Sequence, residues 1–222
     1  MTRLEAITEA YLIATGKTTL PAEGSSKRNK LTGLAKKLYR DWQVEKGVEW
    51  SSLYAVVSGG TVSATDTFEL DTDINFISKQ EGNFVRIRTA PNSYVNYILC
   101  KPQQLYQYRD GNYVAKVADN SVKFSKAFTA SDSVFGGTIE VPAIIKLDDI
   151  NSDTSEILID NPQWLPARLA AQYVFNDRQL NYLYDDLLAD ANDMMQGMID
   201  QNGTLSDSYN TGIDYFSSMG SV

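Results

Sequence analysis

The chain has 222 residues with 20 Lys/Arg, 28 Asp/Glu and no histidine, for a formal net charge of −8. Without imidazole, Ser-His-Asp and Cys-His catalysis and His-ligated metal sites are excluded. The one cysteine, Cys100, can neither close an internal disulfide nor build a zinc site alone. At 43% hydrophobic and 22% charged, the chain supports one good-sized core or two smaller units. No apolar run approaches the roughly 18 residues of a membrane span. The opening MTRLEAITEA lacks a secretory-signal pattern, so a soluble chain is expected.

Thr2 followed by Glu5 has the form of a capping box. Leu4, Ile7, Tyr11 and Ala14 then predict a helix that Gly16 stops. Ser25 or Ser26 caps a second helix to about Val44. Its apolar stripe is Leu31, Leu34, Ala35, Leu38 and Trp42, with Lys27, Lys30, Lys36, Lys37 and Arg40 mainly off it. That basic face reads as solvated or as a contact to an acidic partner, ahead of direct DNA reading.

From Trp50 onward, short runs rich in Val, Ile, Thr, Tyr and Phe predict strands at 53–58, 67–70, 84–89, 94–99, 113–117, 122–124, 137–145 and 156–159. Asp110-Gly111-Asn112 predicts a hairpin joining 106–108 to 113–117. Helices return at Asn161-Pro162, with Leu165, Leu169, Tyr173 and Val174 on the third helix. Pro166 is expected to bend its first turn. A fourth helix is predicted over 180–199, striped by Leu180, Leu183, Tyr184, Leu187, Leu188, Ala191, Met194, Met195 and Met198. The three methionines read as core rather than as an adaptable surface.

No helix can bury its stripe alone. The expected fold is therefore α+β: a four-helix bundle from 1–48 plus 161–199, an inserted all-β sandwich or barrel-like domain over 49–160, and an extended C-terminal arm over 200–222. No internal repeat is visible.

Most chemical motifs fail on inspection. Gly16-Lys17-Thr18 lacks the glycine a phosphate loop needs five positions earlier, where Tyr11 stands. Asp71-Thr72-Asp73-Ile74-Asn75 opens like a calcium loop, but Phe76 replaces its glycine and Gly82 its final Glu. Asp148, Asp149, Asp153 and Glu156 read as an exposed acidic connection. Cys100 reads as buried and inert. No catalytic residue, cofactor or metal is expected. The arm carries Tyr209, Tyr215, Phe216 and Met219, aromatic and apolar residues that suit ordering on a partner.

Charge is uneven along the chain. Residues 1–50 hold nine Lys/Arg against six Asp/Glu (+3), 51–150 nine against eleven (−2), and 151–222 two against eleven (−9). An acidic surface repels phosphates, so sequence-specific DNA binding is not expected, though DNA can pass such a surface without sticking.

Three stretches together resemble the head-to-tail adaptor (connector, neck) proteins of tailed bacteriophages. The first is Glu49-Trp50-Ser51-Ser52-Leu53-Tyr54 with Thr61-Val62 and Ala64-Thr65-Asp66-Thr67-Phe68. The second is Phe135-Gly136-Gly137-Thr138-Ile139-Glu140-Val141-Pro142. The third is Ile159-Asp160-Asn161-Pro162-Gln163-Trp164-Leu165, leading to Ala170-Ala171-Gln172-Tyr173 and Asn176-Asp177. The resemblance runs from about residue 30 to 200. It implies a structural, non-enzymatic virion protein: a ring, typically of about twelve copies, beneath the portal and joined to the tail, with a channel for DNA. It also implies an arm that grips the portal, for which the residues here are Tyr209, Tyr215 and Phe216. Trp164 and Tyr173 match the pattern but read as packing residues. The chain is expected in the virion neck after synthesis in the host cytoplasm. The alternatives are another neck or tail component, such as a terminator or stopper, and a sugar-binding or carboxylate-only glycosidase module, which would need paired carboxylates in a cleft.

Overall fold

In the computed structural model the backbone is described for residues 1–45, 48–79, 82–109, 111–175, 177 and 179–210, and side chains as far as 202. The described elements are α1 (Arg3–Thr15), α2 (Ser26–Gln43), β1 (Tyr54–Thr61), β2 (Thr67–Glu69), β3 (Ile74–Ile77), β4 (Phe84–Ala90), β5 (Ser93–Leu99), β6 (Tyr113–Ala118), β7 (Ser121–Phe124), β8 (Thr138–Ile145), α3 (Trp164–Phe175) and α4 (Tyr184–Asn210), with short 3₁₀ turns at Ser51–Leu53, Pro102–Gln107 and Asn181–Leu183. They fall into two units, Met1–Val48 with Leu147–Thr204, and Glu49–Lys146.

In the helical unit, the Thr2 backbone N–H donates to Glu5 Oε2 at 2.7 Å and the Glu5 N–H donates to Thr2 Oγ1 at 3.3 Å, closing the capping box. Gly16 ends α1 in the left-handed region at φ 69°, its N–H on the Leu12 carbonyl at 2.8 Å. The Arg3 and Leu4 N–H groups of the first turn have no partner within the helix. They donate instead to the carbonyls of Ser155 (2.9 Å) and Asp153 (3.1 Å), and Ile157 N–H reaches the Met1 carbonyl at 2.9 Å. The predicted strand at 156–159 is thus only an isolated bridge, Thr2 to Glu156, and its residues serve the helices. This is why the unit boundary falls at Lys146/Leu147 rather than at 160/161.

α3 packs on both α1 and α2, and Leu165, Leu169, Ala170, Ala171 and Val174 are fully buried. Tyr173 meets Tyr11 edge-on at 5.9 Å, and Tyr39 stacks on Trp42 at 6.0 Å. Pro166, expected to bend the helix start, is accommodated within its first turn. It is the third residue of a helix that begins at Trp164, where an N–H would have no intrahelical acceptor.

The expected four-helix bundle does not form. The chain is mixed α/β, with a nearly closed barrel-like sheet and, among the described residues, four helices. Of the predicted α4 stripe, Ala191 and Met198 are buried, while Leu187, Leu188, Met194 and Met195 are half-buried. A cleft of about 320 Å³ lies among α2, α3 and α4, lined by Leu38, Trp42, Trp164 and Met195 but also by Asp41, Glu45, Arg168 and Asn192. Closing it would strip water from these charged and polar groups, a cost of a few kcal/mol for each left unpaired. α4 also runs on to Asn210, into the stretch read from sequence as arm.

The other unit is one sheet of eight strands in the order β1-β8-β4-β5-β6-β7-β2, with β3 also on β8. The two ends of this order meet where Asp71 N–H donates to the Ser58 carbonyl at 3.0 Å, which makes the sheet barrel-like rather than a sandwich. β8 is the organising strand. It pairs antiparallel with β1 along one edge and with β4 and then β3 along the other. Pro142 sits at the changeover between β4 and β3. Its carbonyl accepts from Ser78 N–H at 2.8 Å, so the missing donor falls on that same seam side and costs the β1 ladder nothing. Phe68, Tyr97, Phe124 and Phe128 fill the interior, with Tyr97 and Phe124 edge-on at 4.9 Å.

Two further expectations fail here. β3 is not among the predicted strands, because its apolar run is only Ile74-Asn75-Phe76-Ile77 behind three polar residues. The predicted hairpin around Gly111 is absent as well. Pro102 starts a 3₁₀ turn through Gln107, and β6 runs parallel to β5 through Ile98–Tyr113 and Leu99–Val114.

Gly137 enters β8 where an added Cβ would lie 2.8 Å from Ile87 Cγ2, 2.9 Å from the Arg88 carbonyl oxygen and 3.0 Å from that of Val134. Two of these neighbours are backbone and have little room to yield. Gly137→Ala is expected to destabilise the protein by roughly 1–3 kcal/mol in chemical denaturation, with no change in stability contradicting this packing.

Candidate partner-binding surfaces

The segment 147–160 returns from β8 across the helices and meets the basic face of α2. Arg3 and Arg28 are both buried. Their guanidinium groups converge on Asp153, at 2.6 Å from Arg3 and 3.4 Å from Arg28. Arg3 also donates to the carbonyls of Ile150 (3.0 Å) and Asn151 (2.7 Å). Lys36 donates to Asn151 Oδ1 at 2.8 Å, and Arg40 engages both oxygens of Asp149, its Nε at 2.6 Å from Oδ1. Part of the basic face thus contacts an acidic partner that belongs to its own chain. Within the acidic connection read from the sequence, Asp149 and Asp153 serve as ion-pair partners.

These pairs set the local electrostatics. The Arg3 guanidinium, against some opposition from burial and with help from Arg28, holds the Asp153 carboxyl below the usual carboxylate range. Asp149 raises the Arg40 pKa through its hydrogen bond and its charge. In the barrel unit, Lys146 and Lys116 lower Asp119, and the Thr129 backbone and hydroxyl lower Asp132. Burial pushes Asp66 upward, but Thr67 and Lys123 outweigh it and leave it lowered. A general acid needs a raised carboxyl. These carboxylates are displaced the other way.

The barrel unit carries a pocket of about 590 Å³ with Pro102, Leu105, Tyr106, Val117 and Phe124 as its apolar lining, bordered by Asp66, Arg109, Lys123 and Lys126. Lys123 pairs with Asp66 and Lys126 with Asp132, each at 3.3 Å, whereas exposed Arg109 has no acidic partner among the described residues. Tyr106 is 71% exposed. The arrangement suits an apolar or aromatic side chain, with Arg109 placed for one negative charge beside it. Sequence reading missed it because Tyr106 was assigned to the hairpin; Pro102 heading a non-strand turn was the available signal.

Of the predicted partner residues, Tyr215 and Phe216 lie outside the described residues, as does the side chain of Tyr209. Trp164 and Tyr173 are buried packing residues. Met198 is buried, its sulfur accepting from Asn161 N–H at 3.3 Å. Cys100 is half-buried, and burial pushes its thiol pKa up, away from reactivity. The calcium-loop stretch feeds β3, with Ile74 N–H on the Asp119 carbonyl at 2.7 Å. Among the described residues no cluster of three or more potential ligands could hold a metal, and no helix is long and apolar enough to cross a membrane.

Comparison of the chain with protein-family models and with curated protein sequences finds no match.

Removing the Asp153 carboxylate leaves two buried guanidinium groups uncompensated. Asp153→Ala is expected to cost about 2 kcal/mol, below a fully buried pair because Asp153 is partly exposed. Because its folded pKa is depressed, its contribution is present above the ordinary value of 3.8 and is lost as pH falls through the depressed value. Denaturation at neutral and acidic pH tests this: the gap between wild type and variant should narrow on acidification, and a constant gap would refute the ion-pair account.

Proposed function

We propose that this chain is a structural virion protein, the head-to-tail adaptor of a tailed bacteriophage. In this reading, copies form a ring beneath the portal, join it to a tail or neck protein and leave a channel through which DNA passes without sequence-specific contacts. The protein acts without a catalytic step or cofactor, by aligning and sealing, and resides in the neck of the virion after synthesis in the host cytoplasm.

The observation that carries the reading is the order of the chain. A helical unit is drawn from both sides of an inserted barrel-like unit, and the order of lobes in the proteins that residues 30–200 resemble is the same. Further support comes from the electrostatics. Carboxylates committed to Arg and Lys, with pKa values displaced downward as at Asp119 and Asp153, suit a scaffold better than acid–base chemistry. The chain's net −8 charge suits a channel that DNA must slide through. Tyr209, Tyr215 and Phe216 are the residues assigned to the portal contact.

Deleting 211–222 should leave the unfolding midpoint unchanged but weaken binding to the cognate portal at least tenfold, about 1.4 kcal/mol. Tyr215→Ala with Phe216→Ala should reproduce most of that loss. Undiminished binding by the truncated chain would remove the arm from the proposal.

A further inference from the structure

α1 is apolar on both sides. Ala6, Ile7, Ala10, Tyr11 and Ala14 are buried, yet Leu12 is 42% exposed on the outer side, and Leu4 and Ile13, each 39% exposed, flank the buried face. Glu5 and Glu9 share that outer side, and between Leu4 and Ile13 the helix has no cation. The outer side of α1 thus sets an exposed leucine among carboxylates, a mixed face suited to a partner that is part apolar and part basic. The outer strip of α2 has the opposite character. Lys30, Gly33, Lys37, Arg40 and, just past the helix end, Val44 recur at helical spacing, and all are exposed. Gly33 leaves this strip open at its centre, since a Cβ built there meets nothing within 4 Å. Among the described residues neither Glu9 nor Lys37 has an ion-pair partner.

We propose that the occupant of α1's outer face is a second copy of this chain, bound through the outer strip of its α2. Leu12 and Ile13 seat at Gly33 and against Val44, while Glu9 faces Lys37. Charge decides between the possible pairings. Two α1 faces brought together would set glutamates against glutamates, and two α2 strips would set lysines against lysines. Of these three pairings only α1-to-α2 is complementary. It uses two different patches of one subunit, so it is heterologous and propagates from copy to copy. The contact deepens the ring reading and rests on it for closure into a ring, whereas the pairing of faces stands on the helical unit alone.

Disulfide trapping on the full chain tests it, in a Cys100→Ser background. One preparation carries Leu12→Cys and the other, isotopically labelled, carries Gly33→Cys, a position with room for the new side chain. Mild oxidation of the mixture should give mixed dimers well in excess of either homodimer, and the chain carrying both cysteines should give a ladder of multimers. Glu9→Lys should lower the mixed-dimer yield about threefold, and Lys37→Glu on the facing copy should restore it. Restoration is a result that simple misfolding cannot produce. Homodimers in excess, no cross-link, or no restoration would overturn the pairing. The trap contains only this chain, so its failure is separable from a failure to bind the portal.

Discussion

The helical unit depends on the segment that returns from the barrel. Carbonyls of Asp153 and Ser155 satisfy the N–H groups that α1 leaves orphaned at its start, and the carboxylates of Asp149 and Asp153 neutralise Arg40, Arg3 and Arg28. Without that segment, α1 would begin with open donors and two arginines would be buried without a counter-charge. The α1–α2–α3 packing is therefore complete only after the chain has finished the barrel and come back. Gln43 Oε1, which accepts from Leu147 N–H at 2.9 Å, joins the departing and returning strands of that excursion.

An insertion of this kind needs its own two ends close together. The barrel unit meets the requirement through β8, its last strand, which lies antiparallel to β1, its first, with Tyr54 opposite Ile144. Because β8 also holds β4 and β3, the strand that closes the insertion is the one that knits the sheet. The residues of the Phe135–Pro142 motif belong to this role. Gly136 turns at φ 81°, Gly137 admits the backbone of the Arg88 and Val134 neighbours, and Pro142 sits at the β4/β3 seam.

What the sequence disclosed, it disclosed through local chemistry. The capping box, Gly16 and the α2 stripe carry their own structural signals, and seven of the eight strands showed in runs of β-branched and aromatic residues. What it hid depends on contacts distant in the chain. Residues 156–159 have strand-like composition, but their backbone partners are Met1 and Thr2, which no local pattern reveals. The α4 stripe is helical in period yet only partly buried, because Asp41, Glu45, Arg168 and Asn192 line the gap where a fourth helix would close. The candidate surfaces follow the same division. The basic face of α2 was visible, but its consumption by Asp149 and Asp153 was not, and the pocket beside Tyr106 arises only because Pro102 diverts the chain from a hairpin.

In the connector account these features have one purpose: a scaffold without chemistry that presents one surface to its neighbour and an arm to the portal. The most direct test is particle imaging of the full chain mixed with its cognate portal. The account predicts portals bearing an added, rotationally symmetric collar of this protein. Bare portals in the presence of folded chain would contradict it.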